Sequence, residues 1–155
     1  MNNYTVTFNS NGGSAVSNQT VSHNSMAAAP ANPTKTGSAF GGWYTNSGLT
    51  TAFTFTTPIT GNTTLYAKWT VNTYTVTFNS NGGSAVSNQT VSYNGKATAP
   101  IVPTRPGFTF EGWYKDSGLT TAFTFTTAIT ANTTLYAKWT VNLYTVTLTA
   151  MADRP

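Results

Sequence analysis

The sequence YTVTFNSNGGSAVSNQTVS occupies residues 4–22 and decides the fold of this chain. Asn11-Gly12-Gly13 supplies the positive φ angles that a tight turn between two strands requires. After the turn, a second strand is predicted at about residues 19–23, with Val21 facing inward. Before the turn, apolar residues alternate with threonine, the two-residue period of a strand with one buried face: Tyr4, Val6 and Phe8.

The same stretch returns unchanged at residues 74–92, so the chain is built from copies. Aligning residues 1–70 on 71–140 leaves 17 differences, and 53 of the 70 positions are identical. A fixed period of this size is typical of a modular array. We therefore predict one module at 1–70, a second at 71–140, and an extra strand that begins a third copy at 141–155.

The remaining patterns predict that each module is mainly β. In the first copy, Phe40–Tyr44 is an aromatic strand, and apolar residues alternate with polar ones over 53–56 and 65–70. Between the second and third strands, residues 27–37 and 97–107 hold two or three prolines each. Because proline removes hydrogen-bond donors from a ladder, we expect a crossover loop here with at most one short helical turn.

Composition excludes several classes of protein. Only 6% of the residues are charged, yet 4 Trp, 8 Tyr and 9 Phe provide large apolar side chains, so the chain is expected to fold. The seven Lys and Arg residues are scattered, and nucleic acid is therefore not an expected partner. No stretch approaches a membrane span, so we expect no membrane insertion. Met1 is not followed by the charged and apolar regions of a signal peptide.

Three motifs in this order resemble the Listeria–Bacteroides repeat family: YTVTFNSNGG, then GFTFEGWYKDSGLTTAFTF after the proline-rich crossover, then TTLYAKW. The resemblance covers nearly all of residues 4–140. It implies a small β-grasp-like module, α+β in class, with a mixed sheet of about four to five strands and a helical or irregular crossover on one face. It also implies tandem display on bacterial surface or secreted proteins, as a stalk, spacer or adhesive element.

Catalysis is not expected from this chain. It has one histidine, His23, and its carboxylates are Glu111, Asp116 and Asp153. A pair of catalytic carboxylates would come from Glu111 and Asp116, which the first copy lacks. His23 is replaced by Tyr93 in the second copy, so we interpret it as an aromatic residue of a strand. No cluster of metal ligands and no cofactor motif is present, so we predict neither metal nor cofactor.

Adjacent aromatic residues provide candidates for ligand stacking. Trp43-Tyr44 and Trp113-Tyr114 each place two aromatic rings on opposite faces of a strand, so that one of them could stack on a sugar. The alternative is that both are packed, with Trp in the core and Tyr against the crossover. Lys68 and Lys138 stand beside Trp69 and Trp139; we expect solvated lysines that cap an edge strand, rather than lysines in an isopeptide crosslink.

The copies differ in a way that predicts unequal stability. Phe108 of the second copy corresponds to Ser38 of the first, and Pro106 corresponds to Thr36. The loss of apolar packing makes the first module the less stable of the two.

The tail repeats the first strand once more, with Tyr144, Val146 and Leu148 at the inward-facing positions. Residues 142–149 either pair with the edge of the second module, or add to a module of another molecule and build a filament. The sequence thus predicts a structural and adhesive unit of a bacterial surface or secreted protein. Its expected partners are other copies, neighbouring repeats, and a glycan or protein of the host or cell wall; the alternative function is a carbohydrate-binding module.

Overall fold

A computed structural model describes residues 2–148, which form eight strands and contain no helix. The chain divides into two compact units, the first made chiefly of residues up to Thr73 and the second chiefly of residues from Tyr74 on. The strands of the first unit are β1 (Asn3–Asn9), β2 (Gln19–Ser22), β3 (Ser38–Tyr44) and β4 (Thr63–Val71); those of the second are β5 (Thr73–Asn79), β6 (Gln89–Ser92), β7 (Phe108–Tyr114) and β8 (Thr133–Val141).

Each unit holds one four-stranded mixed sheet, in the order β2-β1-β4-β3 or β6-β5-β8-β7. In the first sheet β1 runs antiparallel to β2 and parallel to β4, with Val6 opposite Thr63 and Phe8 opposite Leu65. In the second sheet β5 and β8 are parallel, with Val76 opposite Thr133. The prediction of two tandem, mainly β modules with mixed sheets is confirmed, and the strand number is four.

One face of each sheet is buried, as the alternating pattern predicts. Val6 and Leu65 are fully buried on neighbouring strands, whereas Thr5 and Thr64 point to the solvent. Loops close over the buried face, since the sheet has no helix to cover it. The core of the first module consists of Val6, Phe8, Val21, Ala27, Trp43, Ile59, Leu65 and Ala67, and that of the second of Val76, Phe78, Val91, Ala97, Trp113, Phe123, Ile129, Leu135 and Ala137.

The proline-rich crossover is irregular and contains no helical turn. Every third residue of it is turned inward: Ala27 is buried, Pro30 is half-buried and Pro33 is buried. This three-residue period is typical of a polyproline II segment, which has no internal hydrogen bonds. We call residues 27–34, and 97–104 in the second module, the strap.

The strand predicted around Phe53 and Phe55 is not formed. The segment meets β3 at an isolated bridge between Tyr44 and Ala52. Two backbone bonds flank this bridge, from the Phe53 amide to the Trp43 carbonyl and from the Thr45 amide to the Thr51 carbonyl. Thr57 donates its amide to the carbonyl of Thr54, which closes a turn. The apparent alternation therefore reflects two phenyl rings that pack edge-to-face, with centroids 5.1 Å apart, at the margin of the core.

The loop between β1 and β2 is longer than a tight hairpin. The predicted positive φ angles are present at Asn11 (48°) and Gly12 (81°). Residues 10–18 nevertheless separate the two strands, because the chain runs alongside the strap before it enters β2.

Candidate functional site

Trp43 and Trp113 are core residues and do not stack on a ligand. Their side chains are only 4% and 5% exposed. The Trp43 ring packs edge-to-face on Phe8 and Phe40, at centroid distances of 4.9 and 5.5 Å. The tryptophans thus lie where the packed alternative places them, and stacking of Trp43 or Trp113 on a ligand is wrong.

A bulge in β3 explains why Trp43 faces inward. The register with β4 shifts between Phe40 and Trp43, and Gly42 in the bulge has a φ of 103°. Because a bulge places two residues opposite one, it keeps Phe40 and Trp43 on the same face of the strand, although simple alternation would separate them. In β7 the shift falls between Phe110 and Gly112.

Tyr44 and Tyr114 lie on the opposite face from the tryptophans and are half-buried. The ammonium groups of Lys68 and Lys138 lie over the two tyrosine rings, each 5.0 Å from the ring centroid. The Lys68 ammonium also donates to the Tyr44 hydroxyl at 3.5 Å. The tyrosines thus form a cation–π surface on the solvent side of each sheet, rather than packing against the crossover.

The prediction that Lys68 and Lys138 cap an edge strand is wrong. Lys68 lies on β4, which is an interior strand of its sheet, and Lys138 lies on the equivalent strand β8. Each ammonium group has a tyrosine ring as its neighbour.

The Asn-Gly-Gly turn is held by side chains that sequence patterns did not single out. The Trp69 indole N–H donates to the Ser10 carbonyl at 2.8 Å, and the Lys35 ammonium donates to the Asn11 carbonyl at 2.8 Å. Asn11 Nδ2 donates to the Ala67 carbonyl at 2.7 Å. The carbonyls of this turn and the Asn11 side-chain amide thus form their hydrogen bonds within the module. The role of the turn is therefore structural.

The second module builds the same turn with one change. Arg105 replaces Lys35 and donates to the Asn81 carbonyl at 3.1 Å, and its guanidinium also lies 3.8 Å from the centroid of the Phe108 ring. Ser38, the counterpart of Phe108, offers no such ring.

Glu111, Asp116 and His23 each make their own local contacts and do not form a common site. Glu111 accepts a hydrogen bond from the Thr140 hydroxyl at 2.8 Å. Asp116 accepts bonds from the backbone amides of Thr120 and Thr121, and these bonds lower the pKa of its carboxyl group. His23 is exposed and meets the Tyr4 ring edge-on at 5.8 Å. It lies in the turn just after β2, which ends at Ser22, so its interpretation as a residue of the strand is wrong by one position. Among residues 2–148, no three His, Cys, Asp or Glu residues form a group that could hold a metal ion.

The tail leaves the second module after Asn142, whose amide donates to the Gly107 carbonyl at 2.8 Å. Residues 142–148 belong to no strand, and the exposed fraction is 80% for Tyr144, 82% for Val146 and 91% for Leu148. Of the two alternatives for residues 142–149, pairing with the edge of the second module is wrong for 143–148, and Asn142 makes a single backbone bond to the module. Residue 149 lies outside the described part of the chain.

The place that β1 fills in its sheet is not open to the tail in either module. The tail repeats the sequence of β1, which takes both its partners, β2 and β4, from its own module. In both sheets these partner strands are already paired with β1 or β5.

Comparison with known proteins identifies the repeat. The Listeria-Bacteroides repeat domain matches residues 4–68 and again 74–138. Two relatives come from Evansella cellulosilytica and are named as a Gly-rich membrane protein and a membrane protein; they are 45% and 47% identical to this chain over 94% of its length. Internalin H of Listeria monocytogenes is 38% identical over 79% of the chain.

These relatives are much longer than the chain described. The match spans 17% and 22% of the two Evansella proteins and 23% of internalin H. Within residues 2–148, the structure has no helix long and apolar enough to cross a membrane.

Proposed function

Because the chain belongs to the Listeria-Bacteroides repeat domain family, we propose that it is a structural and adhesive repeat unit of a bacterial surface or secreted protein. The observation that carries the proposal is that one four-stranded sheet is built twice. The modules repeat the same aromatic surface, with Tyr44 and Tyr114 under a lysine in each. The names of the relatives, which include membrane proteins and an internalin, support display at the cell surface.

The mechanism of such a unit is spacing combined with repeated weak contacts. A single residue, Asn72, separates β4 from β5, which leaves little chain for a flexible linker. Two copies of one surface on a stiff spacer bind a repetitive partner more tightly than either copy alone.

Stiff spacing is tested by single-molecule energy transfer. The chain has no cysteine, so Ser47→Cys and Ser117→Cys introduce two dyes at exposed, equivalent positions. We expect a narrow distribution of dye distances, and a broader one when a Gly-Ser segment is inserted after Asn72. Equal widths for the two proteins would refute the spacer function.

The tail adds a second mode of contact. Residues 143–148 expose alternating apolar side chains and, among the described residues, have no strand partner. An unpaired strand of this kind is completed when it pairs with another chain. We expect light scattering to show concentration-dependent association of the whole chain, and a monomer after removal of residues 143–155. A monomer in both cases would exclude assembly through the tail.

A carbohydrate is the second candidate partner, and the half-buried Tyr44 and Tyr114 favour it. Their rings lie on the solvent side of the sheets, in the same setting in both modules. We expect affinity electrophoresis in cell-wall glycans to show retardation of the wild type, with a partial loss in Tyr44→Ala and a larger loss in the double variant with Tyr114→Ala. No retardation of the wild type would exclude this partner.

A further inference from the structure

Each module has a groove on the side of β2 or β6, at the same place in both copies. The groove lies between the strap and the loop that leads from the Asn-Gly-Gly turn into β2 or β6. Its volume is about 350 Å³ in the first module and about 330 Å³ in the second. The second groove is lined by Ala85, Val86, Ser87, Asn88, Gln89, Pro100 and Ile101.

Two pairs of hydrogen bonds hold the groove open, one pair at each end. At one end of the second groove, the Ser84 amide donates to the Thr104 carbonyl at 2.8 Å, and the Thr104 amide donates to the Ser84 hydroxyl at 2.9 Å. At the other end, the Gln89 side-chain amide donates to the Thr98 carbonyl at 2.7 Å and accepts from the Thr98 amide at 2.9 Å. These bonds fix the distance between the two walls.

Between the two ends, the walls do not bond to each other. No hydrogen bond of the described chain joins the backbone of residues 85–88 to that of 99–103. Backbone amides and carbonyls are strong hydrogen-bonding groups, and most residues of the two walls are exposed: Ala85, Ser87 and Asn88 on one side, and Ala99, Ile101 and Val102 on the other. An extended segment of chain can satisfy such groups as a neighbouring strand would.

The two grooves differ in their rims. In the second module, the rim carries Ile101, which is 93% exposed, and Val102, which is 59% exposed. The first module has Ala31 and Asn32 at these positions. Contiguous exposed apolar side chains mark candidate interaction sites, and Ile101 and Val102 are adjacent and lie beside the groove.

The other cluster of exposed apolar side chains in the described chain is the tail. Leu143 and Leu148 are each 91% exposed, and neither the tail segment 143–148 nor the lining of the groove contains a charged residue. Bringing the two together thus buries apolar surface without burying an unpaired charge.

The outer strands of the sheets are poorer partners for the tail. In the second sheet, β6 has only four residues, and the side-chain amide of its first residue, Gln89, already bonds to the strap; β2 of the first sheet is equally short. The other outer strand, β7, is interrupted by a bulge between Phe110 and Gly112. Short and bulged outer strands resist the addition of a further strand.

We propose that the groove of the second module binds residues 143–148 of a second copy of this chain, with Ile101 and Val102 as the apolar contact. This inference rests on the tail pairing described under the proposed function and names its docking site. Because each copy carries one groove of this kind and one tail, the contact is head-to-tail and generates open chains of molecules.

The first module supplies substitutions that the fold tolerates. The double variant Ile101→Ala/Val102→Asn gives the second groove the rim of the first, and Ala31→Ile/Asn32→Val does the reverse. Sedimentation of the 155-residue chain is expected to show association weakened by about tenfold or more in the first variant. It is expected to show stronger association in the second, which has two apolar grooves.

Disulfide trapping locates the contact. The chain has no cysteine, so a Val146→Cys chain mixed with an Ala85→Cys chain can form only the disulfides that these substitutions allow. We expect the mixed dimer to form much faster than with Ala15→Cys, the equivalent position of the first groove.

The outcomes separate the two proposals. If Val146→Asp abolishes association while Ile101→Ala/Val102→Asn leaves it unchanged, the tail pairs elsewhere and the groove is the wrong site. Equal trapping rates with Ala85→Cys and Ala15→Cys would also overturn the groove assignment. A wild-type chain that stays monomeric at all concentrations overturns the tail pairing itself.

Discussion

Gly13→Ala is expected to destabilise the first module, because the Asn-Gly-Gly turn has no room for a methyl group at this position. A Cβ atom on Gly13 would lie 2.4 Å from Cζ2 of Trp69 and 3.1 Å from the Thr34 carbonyl oxygen. A contact of 2.4 Å between the new Cβ atom and Cζ2 of Trp69 is too short to persist. Because the Thr34 carbonyl oxygen limits movement of the Cβ atom on another side, the indole must move. The substitution therefore acts on Trp69 rather than on the turn alone.

The cost follows from what Trp69 loses when it moves. Its indole N–H bond to the Ser10 carbonyl is worth about 1 kcal/mol. Its edge-to-face contact with Phe40, at 5.5 Å, is worth about 0.5–1.5 kcal/mol. Replacing glycine by alanine also restricts the unfolded chain, which offsets about 0.4–1 kcal/mol. The free energy of unfolding of the first module should therefore fall by about 0.5–2 kcal/mol.

Urea unfolding followed by tryptophan fluorescence measures this change, and the chain provides a matched control. Nothing lies within 4 Å of a Cβ built on Gly61, and the second module has Ala131 at the same place. We expect Gly61→Ala to leave the unfolding free energy unchanged or raise it by up to about 1 kcal/mol. If Gly13→Ala and Gly61→Ala have the same effect, the packing of Trp69 against the turn does not stabilise the module as described.

Three further predictions use the same unfolding assay. Trp43→Ala should lower the unfolding free energy of its module by about 3–5 kcal/mol, as for a buried aromatic side chain; a change below about 1 kcal/mol would contradict its place in the core. Ser38→Phe should raise the stability of the first module by about 1 kcal/mol through half-buried apolar surface, with no gain as the refuting result. The backbone bonds to Asp116 lower the pKa of its carboxyl group, so they stabilise the second module above the unfolded-state pKa of about 3.9, and this stabilisation is lost as the pH falls through the lower folded-state pKa. Asp116→Asn should remove that loss below about pH 4, and an unchanged pH profile would show that these bonds are absent in solution.

Alternation of apolar residues predicted most of the strands, because a one-sided sheet imposes a two-residue period on its buried face. The pattern is reliable in β1 and β4, where Val6 and Leu65 are fully buried. It failed at Phe53 and Phe55, where two rings reach the margin of the core from a turn. Local alternation cannot distinguish a strand such as β1 from the segment that holds Phe53 and Phe55, since both place every second side chain inward.

The orientation of Trp43 could not be predicted because it depends on a bulge. Gly41-Gly42 in the first module and Glu111-Gly112 in the second share only the glycine at the second position. A positive φ there, 103° at Gly42 and 143° at Gly112, fits an interruption of the strand, but glycine is also found in regular strands. The partner strand decides where the register shifts, and that is long-range information.

The differences between the copies fall outside the buried core. No member of the first module's buried core differs from its counterpart in the second. Of the 17 differences, 13 fall between residues 23 and 46, which contain the strap and β3. In each module the strap turns one side toward its own sheet, where Ala27 or Ala97 is buried. The residues on this inward side must therefore be kept, while those on the outward side are free to change.

The rim of the groove is the clearest example of such a change. Exchanging Ala31 and Asn32 for Ile101 and Val102 adds exposed apolar surface and cannot improve the core, because Ile101 is 93% exposed. Exposed apolar side chains lower solubility unless a partner covers them. If the exchange affects contact rather than folding, transplanting the pair into the first module should leave its unfolding midpoint unchanged while association strengthens. A shift of the midpoint without any change in association would assign the pair to folding instead.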